Sequence, residues 1–217
     1  MDEKGYLRLI SDRELQAATV SQGEHSGYKV LGVDPAAGGD KSCVVLKSAN
    51  LQQVLFNQKL LDTMDLVGVI QDAYREFQCD FISIDKTGVG QGVYDRLKQM
   101  DYPVQGIAFG GKAEDEMFAN LKAELHWKQR KWLLSGGRLV SDFGWNEFEI
   151  VKYKNKDGKL IIQPKEELFR EGIASPNVVD AAVLTQCVSD TNVKNSRRIK
   201  FAGNSFGDKM IDIWRGE

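Results

Sequence analysis

Two short apolar segments of this sequence end in an aspartate and then break into a glycine-containing turn. Residues 29–34 read KVLGVD and are followed by PAAGGD, whereas residues 81–85 read FISID and are followed by KTGVGQG. Apolar runs of this length between turn signals predict buried β-strands. Because an unpaired buried carboxylate is costly, each strand tip needs a compensating cation or hydrogen-bond donors. The two tips, Asp34 and Asp85, therefore predict a divalent metal site.

The composition is that of an ordinary globular protein with one domain and short extensions. The 217 residues carry a formal net charge of −2, so any nucleic-acid surface must be local. The three cysteines contain no CxxC pair, which argues against a disulfide framework or a zinc knuckle. With His25 and His126 as the only histidines, a His-rich metal site or a Ser-His-Asp triad has little support. No signal-like or membrane-spanning run is present in the sequence, so we expect a soluble intracellular protein.

Periodicity divides the chain into three parts. Residues 1–28 are mixed and are expected to be the remnant of an interdomain linker, with a short strand followed by a helix capped at Ser11. Residues 29–190 carry the regular pattern of a folded domain. Residues 191–217 lack periodicity over most of their length and predict a flexible basic tail.

The central part alternates strands and helices. Strands are expected at 29–34, 41–47, 53–59, 81–85 and 104–109, with a hairpin at 147–154 and 159–163 around Asp157-Gly158. Helices are expected from Asp62 or Thr63 to Phe77, from the 88–92 turn to Met100, at 113–134 and at 177–189. Three antiparallel strands followed by βαβ units predict an α/β fold with a central mixed sheet, helices on both faces and an added β-hairpin.

A third acid lies in the segment 175–184, which reads SPNVVDAAVL. The proline marks a helix start, so Asp180 falls in the first turn, and the two alanines after it allow close packing on a sheet. Asp34, Asp85 and Asp180 would then converge at one edge of the sheet. Three carboxylates can hold two Mg²⁺ or Mn²⁺ ions, which activate a water and stabilise the leaving oxygen of a phosphodiester.

Each acid also has a simple structural interpretation. An Asp before Pro-x-x-Gly or Lys-Thr-Gly commonly forms a turn, and an Asp in a first helical turn favours the helix dipole. The 88–92 turn also resembles a dinucleotide-binding loop, although Val93 departs from the G-x-G-x-x-G spacing. Only the joint placement of the three acids favours catalysis.

Three segments together resemble the C-terminal nuclease domain of the large terminase subunit of tailed double-stranded DNA bacteriophages. They are residues 31–40, 85–93 and 175–182, which occur in the order of that family. The resemblance implies an RNase H-like fold in which Asp34, Asp85 and Asp180 are the catalytic, metal-binding acids. The expected cofactors are two divalent ions, Mg²⁺ or Mn²⁺. Asp40 matches a position that is commonly acidic, and we expect it to cap the glycine turn.

The same resemblance implies a reaction and a set of partners. The expected activity is metal-dependent endonucleolytic cleavage of concatemeric viral DNA during genome packaging, in the cytoplasm of the host cell. The expected partners are double-stranded DNA, an N-terminal packaging ATPase domain in the full-length protein, the small terminase subunit and the portal. Two alternatives stay open: a non-catalytic docking module for DNA or the portal, and another RNase H-like nuclease of the resolvase or transposase type.

Local basic residues are the candidate DNA contacts. Lys86 follows the second acid directly, where it would reach a phosphate or remain solvated. The other candidates belong to the predicted hairpin and the residues after it: Lys152, Lys154, Lys156, Lys159 and Lys165. Lysines on edge strands also prevent aggregation, so the pattern is compatible with either role.

Overall fold

The structure is a computed structural model that describes residues 2–36, 39–60 and 62–188. The strands are β1 (Leu7–Arg8), β2 (Thr19–Val20), β3 (Val30–Asp34), β4 (Ser42–Lys47), β5 (Leu51–Gln58), β6 (Phe81–Asp85), β7 (Val104–Ile107), β8 (Arg138–Val140), β9 (Lys152–Lys156) and β10 (Lys159–Ile162). The α-helices are α1 (Asp12–Ala18), α2 (Thr63–Glu76), α3 (Gly90–Gln99), α4 (Leu121–Leu134), α5 (Lys165–Arg170) and α6 (Asn177–Leu184). Two 3₁₀ helices span Phe143–Ile150 and Thr185–Cys187. The predicted basic tail, residues 191–217, lies outside the described residues.

A seven-stranded mixed sheet forms the centre of the fold, in the order β2-β8-β5-β4-β3-β6-β7. Strands β3, β4 and β5 are antiparallel neighbours, whereas β3, β6 and β7 are parallel. This arrangement confirms the predicted mixed sheet with three antiparallel strands at its start. Because β3 and β6 are adjacent and parallel, their carboxyl ends lie side by side at one edge of the sheet.

Helices cover both faces of the large sheet, as predicted. On one face, α2 and α3 pack their apolar residues, including Ile70 and Leu97, against Leu31 and Ile84 of the sheet. On the other face, α4 and α6 bury Leu125 among residues that include Val45 of β4. Among the described residues, no helix is long and apolar enough to cross a membrane.

The predicted hairpin is present as β9 and β10, and β1 extends it into a second, three-stranded sheet. Asp157 and Gly158 form the turn with φ angles of 52° and 81°. Two successive residues with positive φ are typical of a type I′ turn, which explains the Asp-Gly pair.

Two of the expected elements differ in the structure, and strand β8 and helix α5 were not expected. Helix α4 begins at Leu121 rather than near residue 113, because the backbone of Met117 and Ala119 pairs with Leu160 of β10 instead. Residues 147–150, expected as a strand, belong to the first 3₁₀ helix. Trp145 and Phe148 are buried and three residues apart, which suits a helix of three residues per turn.

The N-terminal segment, expected as a linker remnant, packs into both sheets. Strand β1 pairs with β9, β2 pairs with β8, and Tyr6 and Leu9 are buried. Helix α1 begins with a capping box, in which the Ser11 hydroxyl accepts from the Glu14 N–H and the Glu14 carboxylate accepts from the Ser11 N–H. Residues 2–20 are therefore part of the folded unit, whatever they connect to.

Candidate functional site

Asp34 and Asp85 lie next to each other at the carboxyl ends of β3 and β6. The register pairs Val33 with Ile84, so the next residue of each strand is the acid. Asp34 is only 6% exposed. Burial and then the negative charge of Asp180 raise the pKa of Asp34 well above its usual range. Asp85 is half-buried and accepts a hydrogen bond from the Thr87 N–H at 2.9 Å.

Helix α6 brings Asp180 to the same edge by packing closely on β3. A Cβ atom added to Gly32 of β3 would lie 2.1 Å from the carbonyl oxygen of Ala181. The missing side chain therefore lets the helix backbone rest on the strand, as the two alanines after Asp180 predicted. Asp180 itself is completely buried, and it is close enough for its negative charge to act on Asp34.

Two lysines neutralise Asp180 in this structure. The Lys165 Nζ lies 2.8 Å from Oδ2 of Asp180, and the Lys122 Nζ lies 3.1 Å from Oδ1. Burial alone would raise the pKa of Asp180, but the charges of Lys122 and Lys165 outweigh it and hold that pKa below its usual range. Burial would likewise lower the pKa of Lys165, whereas Asp180 and Asp34 raise it. The two lysines therefore favour the ionised form of Asp180.

His126 lies under Asp180 and has one unsatisfied nitrogen. The ring is fully buried, and its Nδ1 lies 2.8 Å from the Lys122 carbonyl oxygen, so Nδ1 carries a proton and donates it. Burial lowers the pKa of His126 to about 4, so the ring is neutral at pH 7. Its Nε2 then faces Oδ1 of Asp180 at 3.6 Å, and neither atom has a hydrogen-bond partner among the described residues. Oδ1 of Asp180 nevertheless forms an ion pair with the Lys122 ammonium at 3.1 Å, so only the His126 Nε2 is left without any compensating partner among the described residues.

The donor set of the three aspartates suits a hard divalent cation, because all donors are carboxylate oxygens. Asp34, Asp85 and Asp180 are the residues that could hold such an ion. The described residues nevertheless contain no group of three or more His, Cys, Asp or Glu side chains already arranged around one metal position. In this structure the two oxygens of Asp180 are paired with the ammonium groups of Lys122 and Lys165 instead.

Two hollows open on either side of Lys165. One, of about 380 Å³, is lined by Asp85, Lys122 and Lys165 among other residues. The other, of about 710 Å³, is lined by Asp40, Lys165 and the exposed Phe169. Of the three acids, Asp85 lines the first hollow, whereas Asp34 and Asp180 are buried.

The candidate DNA-binding lysines are distributed over several environments. Lys165 begins α5 and contacts Asp180, so it belongs to the acidic site and not to the hairpin. Lys152 is paired with Asp2 at 2.9 Å, and the Lys154 Nζ lies 4.0 Å above the ring of Tyr6. Lys86, Lys156 and Lys159 are exposed.

Lys122 and His126 also belong to the site, although neither was predicted from the sequence. Their spacing of four residues on α4 places both on one helix face, a signal that the sequence did contain. Asp40, expected as a turn cap, accepts hydrogen bonds from the Lys41 N–H at 2.9 Å and from the Asn177 side chain at 2.6 Å. The turn is thereby connected to the start of α6.

Comparison with known proteins identifies the fold. The sequence matches no protein-family model and no curated protein. The structure is similar to the nuclease domain of the large terminase subunit gp2 of bacterial virus Sf6, with a TM-score of 0.71 and 17% identity over 82% of this chain and 97% of that one. A mutant of the Sf6 domain has been solved with manganese.

Two further solved structures have the same architecture. The large terminase nuclease of thermophilic phage G20c with bound magnesium has a TM-score of 0.60 and 13% identity, over 81% of this chain and 94% of that one. The large terminase nuclease domain of Thermus phage P74-26 has a TM-score of 0.54 and 10% identity, over 79% of this chain and 90% of that one. The chain therefore has the RNase H-like fold of phage large terminase nuclease domains, as its three motif segments predicted.

Proposed function

We propose that this protein is a metal-dependent endodeoxyribonuclease that cleaves concatemeric viral DNA during genome packaging. The observation that carries the proposal is the placement of Asp34, Asp85 and Asp180 at one edge of a sheet whose fold is that of terminase nucleases. The manganese and magnesium in solved nucleases of this fold support the use of either ion here. The substrate is double-stranded DNA, and the place of action is the host-cell cytoplasm.

The three aspartates would hold two divalent ions, which supply Lewis-acid stabilisation and an activated water for phosphodiester hydrolysis. Lys122 and Lys165 keep Asp180 ionised and fix both of its oxygens before any ion binds. Burial of Asp34 excludes water from its carboxylate and strengthens its attraction for a cation. The glycine turn after β3 leaves space for a phosphate backbone to approach the acids.

The exposed lysines would bind the DNA backbone. Lys86 lies beside the second acid, and Lys156 and Lys159 flank the tip of the hairpin. Lys152 and Lys154 would contribute charge, although both already contact the N-terminal segment. Such contacts recognise phosphate rather than sequence, so we expect little sequence selectivity. An N-terminal packaging ATPase domain in the full-length protein, the small terminase subunit and the portal are the proposed partners.

The decisive test is plasmid nicking by Asp34→Asn and Asp180→Asn variants in the presence of Mn²⁺. We expect wild-type protein to relax supercoiled plasmid and both variants to lose activity by at least about 100-fold. Asp72→Asn, at an exposed position of α2, is the matched control and should retain full activity. Folded Asp34→Asn or Asp180→Asn protein that nicked DNA at the wild-type rate would contradict the assignment.

The neutralised state of Asp180 favours one alternative, a docking module that binds DNA or the portal without cutting. In that case the ion pairs with Lys122 and Lys165 would be permanent structural contacts. Tight DNA binding with no cleavage at any Mn²⁺ concentration would support this alternative. Cleavage confined to branched DNA would instead support a resolvase-type nuclease.

A further inference from the structure

Helix α6 begins without a cap of its own. Pro176 is the N-cap residue and has no side chain that can accept a hydrogen bond. The first N–H groups of a helix have no partner within the helix and need one from elsewhere. The Asn177 N–H donates to the Ser175 carbonyl at 3.0 Å and the Asp180 N–H donates to the Pro176 carbonyl at 2.8 Å. The N–H groups of Val178 and Val179 are left to be satisfied.

Glu147 supplies the missing acceptor from another part of the chain. Its Oε2 accepts from the Val178 N–H at 2.7 Å. Burial raises the pKa of Glu147 to about 7, while hydrogen bonds from the N–H groups of Val178 and Val179 act in the opposite direction and stabilise the carboxylate. A carboxylate at this position complements the positive end of the helix dipole as well. Residues 147 and 178 are 31 positions apart, so this cap is a tertiary contact that links two elements.

The element that carries Glu147 is firmly attached to the core. Glu147 lies in the first 3₁₀ helix, between the buried side chains of Trp145 and Phe148. The Trp145 Nε1–H donates to the Val140 carbonyl at 2.7 Å, and the Asp142 side chain caps the start of the same helix. A Cβ atom at Gly144 would lie 2.7 Å from Val178, so the 3₁₀ helix and α6 are in close contact there. Glu147 therefore has a fixed position from which to hold α6.

We infer that Glu147 is the positioning residue that fixes Asp180, the acid in the first turn of α6, for metal binding. This inference rests on the proposed metal site and assigns the residue that sets its geometry. The two N–H groups that Glu147 stabilises immediately precede Asp180 in the chain. Without the cap, the first turn of α6 is free to fray, and the Asp180 carboxylate loses its fixed relation to Asp34 and Asp85.

Two variants distinguish the hydrogen-bond acceptor of Glu147 from its negative charge. Glu147→Ala removes the acceptor, whereas Glu147→Gln keeps an acceptor oxygen in the same position and removes only the charge. Glu149→Ala is the matched control, because Glu149 is an exposed acid two residues away on the same 3₁₀ helix. All variants are made in the full chain, and their folding is checked by circular dichroism.

The first measurement is Mn²⁺ binding by isothermal titration calorimetry, without DNA. Residues that orient a metal ligand typically change affinity by about 10- to 100-fold when mutated. We expect Glu147→Ala to weaken Mn²⁺ binding by at least about tenfold, and Glu147→Gln and Glu149→Ala to stay within about threefold of wild type. If Glu147→Ala does not fold, Glu147→Asp replaces it, because its shorter side chain withdraws the acceptor and should give the same loss.

The second measurement is amide hydrogen exchange at Val178 and Val179 in metal-free protein. Exchange should be faster in Glu147→Ala and close to wild type in Glu147→Gln. Wild-type Mn²⁺ affinity in folded Glu147→Ala would overturn the positioning role, even if its stability fell. Equal loss of Mn²⁺ affinity in Glu147→Gln and Glu147→Ala would also overturn it. The negative charge of Glu147 would then determine the affinity, and not its hydrogen bonds to α6. A wild-type protein that bound no Mn²⁺ would instead overturn the proposed metal site, and the exchange data would still decide the cap.

Discussion

Replacement of Gly32 by alanine tests the closest contact in the site. Strand β3 and helix α6 touch through their backbones at this point, because Gly32 has no side chain. An added Cβ would lie 2.1 Å from the Ala181 carbonyl oxygen and 2.7 Å from Cγ2 of Thr185. The backbone oxygen cannot rotate away as a flexible side chain could, so α6 must move by about 1 Å in a close-packed interior.

We expect two consequences of that shift. Overpacking a core costs about 1–3 kcal/mol, and a clash with backbone belongs at the upper end, so the free energy of unfolding should fall by about 3 kcal/mol. Asp180 is carried on the displaced helix turn, and a misplacement of about 1 Å can cost about 100-fold in rate. Urea denaturation measures the first effect, and Mn²⁺-dependent plasmid nicking by the folded protein measures the second.

Gly68→Ala in α2 is the control for the same chemical change. A Cβ atom at Gly68 meets no atom within 4 Å, and the position is inside a helix. Alanine there should stabilise the protein by up to about 1 kcal/mol through helix propensity. A Gly32→Ala protein with wild-type stability and wild-type nicking would refute the close packing of α6 on β3, and with it the placement of Asp180.

Three other predictions concern stability. Gly158→Ala at φ 81° should destabilise the hairpin by about 1 kcal/mol in urea denaturation, whereas Gly110→Ala, where a Cβ meets no atom within 4 Å, should not. Ser11→Ala removes the cap of α1 and should cost about 1 kcal/mol by the same assay. Burial lowers the pKa of Lys47 to about 8, below its value of 10.5 in the unfolded chain. Between pH 8 and 10.5 the folded protein has therefore lost this proton while the unfolded chain still carries it. The free energy of unfolding should rise with pH over that interval. The stability difference between wild type and Lys47→Met should change by about 3 kcal/mol over that interval, and a constant difference would contradict the pKa.

Local signals explain why much of the fold could be predicted from the sequence. The apolar runs that end in Asp34 and Asp85 need only a strand and a turn to be recognised. The Asp62 cap of α2 and the Asp157-Gly158 turn are equally local, and both are present in the structure. The rule that parallel strands end at the same edge then brings the two acids together without further information.

The remaining elements depend on distant partners. Residues 113–120 have helix-like periodicity, but their backbone pairs with β10, which follows them by some forty residues. Residues 147–150 could form a strand by propensity, yet Trp145 and Phe148 reach the core only if this segment is a 3₁₀ helix. In both cases tertiary packing outweighs local preference, and one sequence does not reveal the partner.

The charged residues of the site differ in the same way: the positions of the acids depend on local sequence, whereas those of their cationic partners depend on tertiary packing. Each acid occupies a position that its own segment defines, whether a strand tip or a first helical turn. The cations that compensate Asp180 come from α4 and α5, and no local pattern assigns Lys122 or Lys165 to this acid rather than to solvent. A compensating cation or hydrogen-bond donors were predicted for the strand-tip acids Asp34 and Asp85, but not for Asp180. The counter-charge of Asp180 follows only from the packing of α4, α5 and α6, because that packing brings Lys122 and Lys165, which are 43 residues apart in sequence, to the two oxygens of one buried carboxylate.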